Sequence, residues 1–126
     1  MFNFYMKLIE LKVISDLRGS LCVIEDHIGF DIKRVYYMYR VSGQRGGHAH
    51  KITKQALITV SGSCDVPVFV NNNWQSVTLN DPSKCLILAP EDFHYMNNFS
   101  DDCVLLVLAS EHYDKDDYIY EKGENV

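Results

Sequence analysis

Short runs rich in Val, Ile, Leu, Tyr and Phe recur at intervals of about ten residues through this chain, and Gly, Asn, Asp, Ser or Pro separates each from the next. That rhythm belongs to sandwiches and barrels, where each short strand buries one face and then turns back. It predicts strands near 7–13, 20–25, 33–40, 47–51, 55–61, 64–70, 74–79, 85–89, 93–97 and 103–110. Asn71, Asn72 and Asn73 lie between two of these runs, and asparagine tolerates the left-handed backbone of a tight hairpin. No stretch keeps a helical period for three turns, so the acidic tail from Glu111 to Val126 offers at most a turn of helix or a final strand. The expected fold is all-β, a single domain over residues 1–126, most easily closed as a barrel because closure removes exposed edges.

Composition narrows the function. With 47% hydrophobic and 23% charged residues the chain reads as an ordinary globular domain. A net charge of -5, with no cluster of Lys and Arg, argues against binding nucleic acid. No apolar run approaches the length that spans a bilayer. The opening Met1 to Met6 is apolar but lacks the basic leader and cleavage site of an export signal, so a cytoplasmic location is expected. Cys22, Cys64, Cys85 and Cys103 are irregularly spaced among apolar neighbours, which suits buried reduced thiols, and without a CxxC pair zinc is not expected.

The chemistry concentrates in Arg45-Gly46-Gly47-His48-Ala49-His50-Lys51. A spacing of two in a strand sends both imidazoles to one face, and the preceding glycines allow close approach of backbone or ligand. Two histidines on a solvated face would be the commoner arrangement in general; the glycines and small Ala49 favour a shared pocket. A second histidine stands in Pro90-Glu91-Asp92-Phe93-His94, and His27 and His112, outside any motif, read as surface residues.

The order of glycine, His-x-His, Gly62, Pro90, His94 and Asn98 resembles the two motifs of the cupin superfamily, which implies a jelly-roll β-barrel. Metal-binding cupins place a glutamate shortly after His-x-His; here the positions read Thr53-Lys54-Gln55, so a metal-free pocket with no cofactor is expected. Asp16-Leu17-Arg18-Gly19-Ser20-Leu21, Phe30 to Tyr37, Gly47-His48-Ala49-His50-Lys51, Ser61-Gly62-Ser63, Leu106 to Ser110, Tyr113-Asp114 and Asp117-Tyr118-Ile119 together are similar to the sugar 3,4-ketoisomerases within the cupins. The likeness covers nearly the whole chain. Phe93 and Arg40 depart from it, standing where that family often has tryptophan and an acidic residue.

That resemblance implies an isomerase that moves the ketone of dTDP-4-keto-6-deoxyglucose from C4 to C3 through an enediol or enediolate, on the way to 3-amino-3,6-dideoxy sugars of surface glycans. It also implies a homodimer, often with exchanged strands, for which Phe2 to Tyr5 is a candidate segment. Histidine titrates near neutrality, so His48 and His50 are the expected acid–base pair, with the choice of carbon base left open between them. Tyr36, Tyr37 and Tyr39 are candidate donors to the enediolate oxygen, with Tyr37 taken as catalytic and Tyr36 as a binding group. Arg18, Arg34, Arg45 and Lys51 are the expected diphosphate contacts, and His94 is expected at the pocket mouth. The rivals are a 3,5-epimerase, which needs a differently framed histidine paired with an aspartate, and a sugar-binding cupin without catalysis.

Overall fold

The computed structural model describes residues 6–120. Among the described residues twelve strands follow one another: β1 (Lys7–Glu10), β2 (Lys12–Asp16), β3 (Gly19–Val23), β4 (Arg34–Tyr39), β5 (Arg45–His50), β6 (Gln55–Ser61), β7 (Cys64–Val70), β8 (Asn73–Leu79), β9 (Lys84–Leu88), β10 (Phe93–Met96), β11 (Val104–Ala109) and β12 (Tyr118–Ile119). Two 3-10 turns, Asp26–Ile28 and Lys115–Asp117, are the only helical pieces among the described residues. One five-stranded sheet runs β1-β9-β6-β11-β4 and faces a second, β12-β5-β10-β7-β8, with every pairing antiparallel. This is the jelly-roll barrel that the strand rhythm and the cupin-like motifs lead one to expect.

Alternation explains how the strands fill it. In β7 the burial pattern alternates strictly, with Cys64, Val66, Val68 and Val70 facing in. They meet Leu57, Leu86, Leu88, Leu105 and Val107 from the opposite sheet to form the central core. Side chains of this size stabilise the fold by about 1.5–3 kcal/mol each on full burial. The outer face of β6, β9 and β11 is also covered: Ala56, Ile58, Cys85, Ile87 and Leu108 pack with Leu11, Ile28, Ile24 and Phe30. Burial on both faces is why these three strands read as almost unbroken apolar runs.

The expected strand at 7–13 is two strands. Leu11, 5% exposed, donates its N–H to the Ser83 carbonyl, and there the chain leaves β9 to form a separate β2–β3 ladder. The asparagine hairpin is present: Asn71 and Asn72 take φ of 54° and 60°, and Val70 pairs with Asn73. The tail supplies both a 3-10 turn and β12, a short strand on the free edge of β5. All four cysteines are unpaired. Phe2 to Tyr5, considered above as an exchanged strand, lies outside the described residues.

Candidate active site

β4 shows an in-out pattern that divides its side chains between solvent and barrel. Arg34, Tyr36 and Met38 face in, whereas Val35, Tyr37 and Tyr39 face out and are more than half exposed. Arg34 and Tyr36 thereby line a pocket of about 330 Å³, opposite Arg45, Gly46 and His48 of β5, with Tyr113 and Tyr118 of the tail at one side. That volume suits a small-molecule site. Gly46 is required where it stands: its φ is +86°, and a Cβ would meet the His94 carbonyl oxygen at 3.0 Å.

His48 and His50 share a face, with ring centroids 5.1 Å apart and edge-to-face, and His94 of β10 lies 5.2 Å from His48 because the strand ladder sets His94 opposite it. Only His48 of the three lines the pocket. Desolvation, and secondarily the charge His50 would carry, lowers His48 to about 4, so it is a neutral imidazole at pH 7. Its Nδ1 is buried without a hydrogen-bond partner.

His50 is only 3% exposed and is held from behind. The Asp117 carboxylate lies 2.9 Å from its Nδ1 and also accepts from the Thr53 hydroxyl and the Ile52 N–H. Burial raises the Asp117 carboxyl, but the hydrogen bonds from Thr53, Ile52 and His50 outweigh it and hold the group below 3.8. Burial likewise lowers His50, with Asp117 opposing that shift and Arg34 adding to it. His94 is wholly buried, and desolvation takes it down to about 3; its Nδ1 donates to the Asp92 carbonyl.

A further contact links the phenol to the barrel. Gln55, 2% exposed, donates from Nε2 to the Tyr36 hydroxyl at 2.9 Å, so that hydroxyl keeps its own proton available to a ligand. Burial raises Tyr36, which stays protonated near neutrality. Arg34 lies 5.4 Å from the Tyr36 ring centre and 5.8 Å from that of Tyr113. Gln55 occupies one of the positions where metal-binding cupins would be searched for glutamate. Among the described residues no group of three His, Cys, Asp or Glu is placed to hold a metal ion.

The structure places four of the expected site residues elsewhere than at the wall of this subunit's pocket. Tyr37 points out of the barrel at 60% exposure, its ring centre 6.1 Å from that of Tyr39, so it does not share the histidines' pocket; the inward neighbour is Tyr36. Arg18 sits in the turn joining β2 and β3, paired with Asp16 and exposed, apart from the pocket of this subunit. Lys51 follows β5 on the exposed side and does not line the pocket. His94 lies beneath His48 rather than at the mouth, because the β10 ladder buries it. His27 and His112 are exposed. Sequence reading placed Asp117 in the family-like segment Asp117-Tyr118-Ile119 but gave it no role, because a His–Asp pair separated by 67 positions has no local signature.

A double-sheet antiparallel barrel with inward histidines, a phenol and two guanidinium groups gathered around one pocket defines the chain as a cupin-type barrel. The family model for FdtA, WxcM-like, C-terminal, matches residues 5–125, and the chain belongs to that family. It is 47% identical over 117 residues, 90% of this chain and 84% of the relative, to the TDP-4-oxo-6-deoxy-α-D-glucose-3,4-oxoisomerase of Aneurinibacillus thermoaerophilus. Among solved structures it is similar to a histidine-to-asparagine variant of the 3,4-ketoisomerase QdtA from Thermoanaerobacterium thermosaccharolyticum, in complex with TDP-4-keto-6-deoxyglucose. That match has a TM-score of 0.89 and 41% identity, covering 95% of this chain and 90% of that one. The WlaRB TDP-quinovose 3,4-ketoisomerase of Campylobacter jejuni is similar with a TM-score of 0.88 and 41% identity, over 94% of this chain and 95% of that one.

Proposed function

We propose that this chain is a sugar-nucleotide 3,4-ketoisomerase acting on dTDP-4-keto-6-deoxyglucose. The carrying observation is His48: a neutral imidazole on the pocket wall, with the Tyr36 phenol and the Arg34 and Arg45 guanidinium groups lining the same space. His48 takes the proton from C3. The electron pair forms the C3–C4 double bond, and the former C4 carbonyl oxygen becomes the enediolate oxygen, which the Tyr36 hydroxyl stabilises as donor. His48 returns a proton to C4, and the C3 hydroxyl proton passes to the C4 oxygen, leaving a ketone at C3 and a hydroxyl at C4. No external oxidant is consumed. The negative charge of the diphosphate and of the developing enediolate favours the imidazolium, which raises the pKa of His48 as the reaction needs. Arg34 and Arg45 hold the diphosphate through their forked donors.

The product is a 3-keto sugar suited to amination at C3. The three buried, unpaired thiols, Cys64, Cys85 and Cys103, fit a reducing cytoplasm. We also infer a homodimer. The β2–β3 hairpin pairs with neither barrel sheet and exposes Val13, Ile14, Leu17 and Leu21, an apolar load that a second copy would cover. Sedimentation should give twice the subunit mass at micromolar concentration; a monomer there would overturn the dimer.

The first test mixes chelator-treated protein with dTDP-4-keto-6-deoxyglucose in deuterated buffer and follows the sugar by proton NMR. A 3-keto sugar with deuterium at C4 supports metal-free isomerisation, and His48→Asn should then lose about 10²- to 10⁴-fold in turnover while nucleotide-sugar binding survives. Exchange at C5 would favour the epimerase, and binding without exchange the non-catalytic cupin. Recovery of activity only on adding Fe(II), Mn(II) or Zn(II) would defeat the metal-free reading.

A further inference from the structure

Asp117 takes no part in the proton transfers assigned to His48 on the pocket wall. A 7%-exposed carboxylate inside a barrel is costly unless its oxygens are satisfied, and here one oxygen takes the Ile52 N–H while the other takes both the Thr53 hydroxyl and the His50 ring. A carboxylate held below 3.8 can only accept, so His50 must carry its proton on Nδ1. Its Nε2 is then a bare acceptor, and that atom is buried with no partner. The Asp117 backbone joins the same knot: its carbonyl accepts from the Lys51 N–H at 2.8 Å, which seats β12 on β5. Tyr118, the next residue, lines the pocket and packs against both His48 at 4.8 Å and His50 at 4.5 Å between ring centres.

We infer that Asp117 is a positioning residue for this reaction: it locks His50 in the Nδ1–H tautomer, leaving a bare Nε2 beside His48, and pins the tail that carries Tyr118 against the histidine pair. This rests on the acid–base reading of the pocket. His50, which does not itself line the pocket, then acts through the neighbouring His48, which works at carbon. The charged and titratable groups around His50 are His48 on its own strand, His94 on β10, Asp117 and Tyr118 on the tail, and Arg34 on β4.

Asp117→Asn separates this from a purely structural staple. The amide oxygen can keep the Ile52 N–H, which turns its NH₂ toward His50, donates to Nδ1 and drives the proton to Nε2. Imidazole ¹⁵N NMR of the full-length protein, without substrate, should show the Nδ1–H form for wild type and the Nε2–H form for the variant. Turnover should fall by about 10²-fold or more with KM changed less than about threefold. Thr53→Val is the second variant: with Oδ2 no longer shared, the His50 bond strengthens and its NMR titration midpoint rises, with the Nδ1–H tautomer retained. An unchanged tautomer in Asp117→Asn, or an unmoved midpoint in Thr53→Val should the first variant not fold, overturns the assignment. Because these readouts need no turnover, they stand apart from any failure of the ketoisomerase reading.

Discussion

The buried histidines that equip the site should make the fold acid-sensitive, and the size of the effect follows from their environments. His48 and His94 titrate at 6.5 when unfolded and near 4 and 3 in the fold, in both cases chiefly through desolvation. A lowered histidine pKa means that the unfolded chain binds the proton first, so stability is intact above 6.5 and is lost as pH falls below it. At pH 5 each imidazole is charged only in the unfolded state, a loss of about 2 kcal/mol apiece. Asp92 acts in the opposite sense. Burial raises it from 3.8 to about 6, so at pH 5 the folded chain holds its proton and regains about 1 kcal/mol. His50 adds to the loss in the same direction as His48, while Asp117, held low, keeps its contribution until the pH drops below 3.8. The net expectation between pH 7.5 and pH 5 is a loss of about 3 kcal/mol, which moves a urea midpoint by about 1–2 M at fixed protein concentration. His94→Asn removes one contributor and should shrink the pH-dependent loss to about 1 kcal/mol. If that variant lost as much between the two pH values as wild type does, desolvation of His94 would not be the source of acid sensitivity.

Tyr36→Phe should reduce turnover at least about tenfold in the NMR assay, because the hydroxyl held by Gln55 is the donor inside the pocket, whereas Tyr37→Phe should stay within about twofold. Equal effects of the two would reject the assignment of the inward tyrosine. Gly62→Ala should lower the thermal midpoint sharply. Gly62 has φ of +68°, and a Cβ there would collide with Ser100, Asp102 and the Cys103 Cα, the last at 2.8 Å, so a cost of several kcal/mol is expected, on the order of other severe backbone clashes. Calorimetry that found the variant as stable as wild type would show that the turn after β6 can rearrange.

Much of this protein is local physics and was therefore present in the sequence. The strand rhythm, the Asn71-Asn72 turn and the two-residue spacing of His48 and His50 each depend on neighbours in the chain, and a period of two decides which side chains share a face whatever the rest of the fold does. The same period separated Tyr36 from Tyr37, but it could not say which of the two faces would be the inside; that was decided when β4 took the edge of its sheet beside β11 and turned Arg34 and Tyr36 toward β5. Strand pairing across the barrel also buried His94 under His48, left Arg18 on a hairpin outside the sheets, and put Gln55 on the Tyr36 hydroxyl. The pairing of His50 with Asp117 is the clearest case. A hydrogen bond across 67 residues leaves no periodic or compositional trace, because it exists only when the tail adds its short strand to the edge of β5 and brings a carboxylate behind the imidazole. Sequence determined which groups could do acid–base chemistry; the closing of the barrel decided which of them meet.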